Sequence, residues 1–155
     1  MANEKNGVKS MEERLQALDL VDLLSERHIL LRKIIEDTWN SNHDIYISNS
    51  EWFIMAKTYK KQPTIASISK NVNITRQATH KFVKSLEQKG LVEVGPVENN
   101  KKEKCLRLTE LGERYHEENE KIRTELVRQI ANTIGTEKVK ALETILKLDW
   151  GVKPN

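Results

Sequence analysis

Apolar residues recur at helical intervals over most of this chain and alternate with polar ones in only one short segment. Between Val8 and Gln62 there is neither Gly nor Pro, and Leu15, Leu18, Val21, Leu24, Ile29, Leu31, Ile34 and Ile35 follow a helical rhythm. That pattern predicts one long helix ending near Trp39. Ser48 with Glu51 three residues on is a capping-box signature for a second helix carrying Trp52, Phe53, Met55 and Tyr59. Pro63 cannot continue that helix, and the Thr64 hydroxyl can cap a short third one over Ile65 to Asn71 with Ile65 and Ile68 inward. Thr75 opens a fourth, running to about Lys89 and stopped by Gly90, whose inward stripe is Thr79, Phe82, Val83 and Leu86.

Past Gly90 the period changes from helical to alternating. Leu91 to Val94 reads as a strand broken by Gly95-Pro96, and Lys104 to Leu108 as its partner, with Leu106 and Leu108 set against Cys105 and Arg107. Val97 to Glu103 is expected as the connecting loop. Thr109 then caps a long helix with Leu111, Tyr115, Ile122, Leu126 and Ile130 on one stripe and Gly135 at its end. A last helix opens at Thr136 and carries Val139, Leu142, Ile145 and Leu146.

Two short helices joined through Asn73, followed by a basic hairpin, make a winged helix-turn-helix, a unit for gripping duplex DNA. Asn is the residue after Gly that best tolerates the left-handed turn conformation this motif needs. Opposite the buried stripe of the fourth helix lie Arg76, Gln77, His80, Lys81 and Lys84, beside the capping Thr75. Arg and Gln carry the paired groups that read guanine and adenine edges, and lysines suit phosphate as point charges. Asn100, Lys101 and Lys102 at the hairpin tip extend this set. A lysine-bearing helix face is commonly just a solvated face. The ordered succession of cap, turn, polar face, Gly stop and basic hairpin favours DNA.

The segment TIASISKNVNITRQATHKFVKSLEQKGLVEV with LRLTELG after it resembles the winged-helix core of the MarR (multiple antibiotic resistance regulator) family. The strongest matches are the Leu-x-x-Lys-Gly-Leu-Val run from Leu86 to Val92 and the Leu-Thr-x-x-Gly run from Leu108 to Gly112. The resemblance spans about Leu15 to Leu148, although only the core is motif-specific. One departure stands out. The family's wing carries an Asp, one intervening residue and an Arg, and those positions fall on Asn100 and Lys102, so wing contacts are expected to be weaker or purely electrostatic. The resemblance also implies an effector pocket between the dimerisation helices and the DNA-binding unit, near Trp39, His43, Tyr46 and Trp52, although aromatics at helix joints are more often core. Such a pocket implies a small-molecule effector as a partner.

Composition fits a small regulator. The 155 residues are 37% hydrophobic, enough for one core, and the net charge of +3 makes local lysine placement matter more than the total. A single cysteine excludes an intrachain disulfide framework and CxxC metal sites, so no metal or cofactor is expected and the cytoplasm is the natural compartment. Cys105 reads as a plain strand residue. No apolar run approaches membrane-spanning length. His28, His43, His80 and His116 stand far apart with no paired metal spacing, His116-Glu117-Glu118 reads as solvated helix surface, and no catalytic constellation occurs, so an enzyme is not expected.

These readings combine into a mainly α fold with a small β-wing. Its expected organisation is a disordered tail over 1–10, an N-terminal dimerisation helix and connection over 11–47, a winged helix-turn-helix over 48–108 and C-terminal dimerisation helices over 109–150. The surplus apolar stripes of the terminal helices predict a homodimer that binds double-stranded DNA at an inverted repeat as a repressor. The competing class is a winged helix serving as a protein-interaction or accessory module of a larger assembly.

Overall fold

A computed structural model describes residues 10–155, so most of the expected N-terminal tail lies outside the described residues. Ser10 belongs to the folded part. It caps α1 (Met11–Gln16) through a capping box with Glu13. The single long helix expected at the N-terminus is instead two. Residues 17–19 interrupt it, and α2 (Leu20–Asn42) starts afresh with the Asp19 carboxylate accepting from the Asp22 amide at 2.9 Å. That local bond satisfies an amide the helix start leaves free, which is why a gapless apolar rhythm still breaks there.

The capping box of Ser48 and Glu51 starts α3 (Asn49–Thr58), and Thr64 caps α4 (Ile65–Val72) by accepting from the Ser67 amide. Asn73 ends α4 at φ 55° and ψ 44°, in the left-handed region as its residue type predicts. Thr75 then caps α5 (Arg76–Gln88), and Gly90 turns the chain at φ 74°. The hairpin consists of β1 (Val92–Val97) and β2 (Asn100–Leu108), antiparallel, with Glu98 and Asn99 as its turn. Thr109 caps α6 (Glu110–Ile134), and α7 (Thr136–Lys147) follows Gly135 without a side-chain cap.

The wing is longer than the alternation predicted. Strand β1 runs through Gly95-Pro96 instead of breaking there, and the expected loop from Val97 to Glu103 is mostly strand. Proline lacks the amide that a regular ladder needs, and the register slips at that point: Pro96 pairs with Lys104 while Val97 pairs with Asn100, leaving 101–103 as a bulge. Lys101 and Lys102 therefore sit in a strand irregularity near the tip and not in a free loop.

One core joins these elements. Ile54 and Met55 of α3, Ile65 and Ile68 of α4, Val83 and Leu86 of α5 and Leu91, Val92, Leu106 and Leu108 around the hairpin are buried together. Trp39 of α2 closes the core on the α6 side. It is 1% exposed, stacked on His43 with ring centroids 3.5 Å apart, and edge-on to Trp52 and Tyr115. The expectation of a solvated surface at His116 is corrected. That ring is 5% exposed and lies 4.4 Å from the Tyr59 ring, while Glu118 accepts from His43 Nε2 at 2.6 Å. The buried face of α6 is thus wider than its apolar stripe, because α2 and α3 both pack on it.

Candidate nucleic-acid interface

Helix α5 is held at both ends by polar contacts that its sequence makes inevitable once α3 and α4 are in place. At its start, Thr79 is fully buried, donates its hydroxyl to the Thr75 carbonyl at 2.9 Å and accepts from Ser69 Oγ of α4 at the same distance. A hydroxyl pair thereby sets the angle between the two helices of the motif. At its other end, the buried carboxylate of Glu51 accepts from Ser85 Oγ at 2.8 Å and from Lys89 Nζ at 2.6 Å. A carboxylate removed from water needs such compensation, and satisfying it ties the last turn of α5 to α3.

With Thr79, Val83 and Leu86 facing the core, the helical period turns Arg76, Gln77, His80, Lys81 and Lys84 outward, and all five are exposed together with the capping Thr75. None of these five makes a side-chain hydrogen bond or ion pair among the described residues, so their donors remain available to a ligand. No side-chain carboxylate lies on this face between Arg76 and Ser85. The face is polar, cationic and rigidly backed, which is the chemistry that base edges and phosphates accept.

The hairpin stands beside that helix. Its base is pinned by Leu106 N donating to the Pro63 carbonyl at 2.9 Å and by a bridge between Thr64 and Cys105. Arg107, directly across from Glu93, donates to it in a cross-strand ion pair on the exposed side. The carboxylate holds the guanidinium charged, its pKa raised by that hydrogen bond and charge, and keeps it engaged within the wing. Near the tip, Asn100 Oδ1 accepts from the amides of Lys102 at 3.0 Å and Glu103 at 3.4 Å. Asn100 thus shapes the backbone of the bulge, while Lys101 and Lys102 are exposed. Lys104, absent from the sequence-based set, lies on the same strand. Lys102, Lys104, Arg76 and His80 line one cleft between wing and helix, a juxtaposition that spacing along the chain could not reveal.

The aromatic candidates for an effector site separate. Trp39, His43 and Trp52 pack on one another and on Tyr115, and Trp39 Nε1 donates to the Ile45 carbonyl at 3.0 Å, whereas Tyr46 is exposed with Lys89 Nζ 5.8 Å from its ring centre. An apolar groove of about 340 Å³ lies elsewhere, between α1 and α2, lined by Leu15, Leu18, Ile29 and Leu30. Among the described residues no group of His, Cys, Asp and Glu is arranged to hold a metal ion, and no helix is long and apolar enough to cross a membrane.

The sequence matches no family model and no curated relative. Solved structures do match over nearly the whole chain. Wild-type MarR from E. coli, in its apo form, superimposes with a TM-score of 0.70 at 19% identity, covering 84% of this chain and 96% of that one. Streptococcus pneumoniae FabT, solved in complex with DNA, gives 0.71 at 21% identity over 87% and 92% of the two chains. The transcriptional regulator BldR from Sulfolobus solfataricus gives 0.65 at 18% identity over 89% and 97%. Helix order, hairpin wing and near-complete mutual coverage agree on one conclusion: this chain has the winged-helix fold shared by the MarR-type transcriptional regulators.

Proposed function

We propose that the protein is a non-enzymatic MarR-family transcriptional regulator that binds double-stranded DNA in a sequence-specific way as a homodimer, repressing from a palindromic operator. The observation that carries this reading is the outward face of α5, where Arg76, Gln77, His80, Lys81 and Lys84 are all exposed on a helix whose other face is locked into the core. A helix so presented fits the major groove, with Gln77 in its first turn suited to base edges and Lys81 and Lys84 suited to phosphates, while Arg76 borders the cleft beside the wing. FabT, of the same fold, was solved bound to DNA.

Self-association is supported by what a single copy leaves uncovered. Leu142, Ile145 and Leu146 of α7 are each about half exposed, and Leu20, Val21 and Ile29 of α2 are more so. Pairing through the terminal helices sets two α5 helices about one DNA turn apart, roughly 34 Å, and so selects an inverted repeat.

The test is selection of duplexes from a random pool, followed by a salt titration of the winning site. An enriched inverted repeat whose affinity falls steeply with salt is the expected result. Lys84→Glu should weaken binding to every duplex, while Gln77→Ala should relax preference at one base position. Failure to bind any duplex would overturn the reading and favour a protein-interaction role.

A further inference from the structure

The cleft between wing and recognition helix is a built feature, and on the DNA-binding reading above it has a definite occupant. Two of its walls come from different elements: Arg76 and His80 from the first turns of α5, and Lys102 and Lys104 from β2. Its floor is the first turn of α4 at Thr64 and Ala66, whose helix dipole adds partial positive charge. Its volume is about 170 Å³. A polar concavity of that size has room for several waters, or for one phosphodiester group in their place.

We propose that this cleft clamps a single DNA backbone phosphate between Arg76 and His80 on one side and Lys102 and Lys104 on the other, so that the wing grips the backbone instead of reading a minor groove. Three observations support the assignment. Cations of two independent elements converge on one concavity, which favours a compact anion over an extended groove floor. The bulge at 101–103 is fixed from within by Asn100 Oδ1 on the Lys102 and Glu103 amides, and so brings Lys102 to the cleft from a shaped backbone. The attachment of Leu106 to Pro63 and of Thr64 to Cys105 keeps the base of the wing against α4, so the two walls hold their spacing. Glu103 also lines the cleft and opposes the anion. With Arg76, Lys102 and Lys104 charged, the balance still favours phosphate, and Glu103→Gln should tighten binding to every duplex alike.

The test uses the full chain and the duplex won by selection, in a series carrying one methylphosphonate at a time. In the wild-type protein, one neutralised position in each half-site should lower affinity about tenfold. In Lys102→Ala and in Lys104→Ala the penalty at that same position should shrink, and in the double variant shrink further, while other positions keep their penalties and the slope of log affinity against log salt falls by about 0.9 per protomer for each lysine removed. Lys101→Ala, whose side chain does not line the cleft, should leave the penalty at that position unchanged. Penalties at that position that stay undiminished in both single variants and in the double variant would overturn the clamp, and so would loss of discrimination between A·T and G·C flanks in Lys102→Ala, which would mark minor-groove reading. Saturation of the wild-type cleft by micromolar inorganic phosphate, read by NMR without duplex, would make it a free-anion site and overturn the assignment too. A wild-type protein that binds no duplex would sink the DNA reading itself, a result distinct from binding without this coupling.

Discussion

Gly112 offers the sharpest test of how the wing is joined to the long helix behind it. It is buried in the first turn of α6, three residues after the capping Thr109, and a Cβ built there would lie 2.0 Å from the Leu91 carbonyl oxygen and 3.0 Å from its carbon. Leu91 O also accepts from the Thr109 amide at 3.0 Å, so the obstacle is backbone fixed at both ends of the hairpin and not a side chain that can swing away. On an exposed helix, Gly→Ala stabilises by up to about 1 kcal/mol. Here the sign should reverse. Restoring an ordinary carbon–oxygen contact requires α6 and the hairpin base to part by more than about 1 Å, which belongs at or above the upper end of the roughly 1–3 kcal/mol that overpacking costs. For a chain of this size about 3 kcal/mol lowers Tm by roughly 6–12 °C. Gly90→Ala is the contrasting case: its φ is 74° but nothing stands within 4 Å of the added carbon. It should lose only the roughly 1–2 kcal/mol of a left-handed residue. Thermal unfolding followed by circular dichroism, at one fixed protein concentration because a dimer's Tm depends on it, separates the two. A Gly112→Ala protein melting at or above the wild-type temperature would refute the argument.

Other consequences follow from the same geometry. Asn73→Ala should destabilise by about 1 kcal/mol and Asn73→Gly should be neutral or slightly stabilising, measured by urea unfolding, because only the left-handed backbone at that turn is at stake. Lys89→Met leaves the buried Glu51 carboxylate without its cation and should cost about 2–3 kcal/mol, discounted from a fully buried pair because the Lys89 side chain is 24% exposed. Equal urea midpoints for Lys89→Met and wild type would contradict that role. Tyr59 donates to Glu117 at 2.6 Å, and this hydrogen bond first, then loss of solvation and nearby carboxylates, pushes its pKa up to about 12. Because the folded value lies above the unfolded one near 10, this contact stabilises the fold fully below about pH 10 and the contribution is lost as pH rises toward 12. A phenolate absorbance titration should show one late tyrosine, and Glu117→Gln should bring it forward.

Helix starts were legible in the sequence because capping is a three-residue affair. Ser48 with Glu51, Thr64, Thr75 and Thr109 each make the local hydrogen bond their type and position announce. The break at 17–19 was not legible for a related reason: Asp19 carries the same cap chemistry, but it stands within an apolar rhythm that continues on both sides of it. The wing's full length was not legible, because strand extent depends on a partner across the hairpin and on where Pro96 forces the register to slip. Nor was the burial of His116 or the bond from His43 to Glu118, whose partners lie 75 residues apart. Of the candidate interface, the outward set on α5 followed directly from helical period. The part Lys104 and Glu103 take in the cleft did not, since it depends on how the wing leans against α5.

The amino-acid sequence by itself determined the order and type of the elements, the turn at Asn73 and the polar face of α5, because caps, left-handed turns and amphipathic stripes are set by neighbours within a few residues. Only the tertiary structure decided which polar groups are compensated and which stay free. Glu51 is neutralised by Lys89, Arg107 is held by Glu93, and Arg76, Lys102 and Lys104 share a cleft without a carboxylate bonded to any of them among the described residues. The reason is physical: Coulombic and hydrogen-bond partners act over a few ångströms in space, and that proximity exists only after the core has closed.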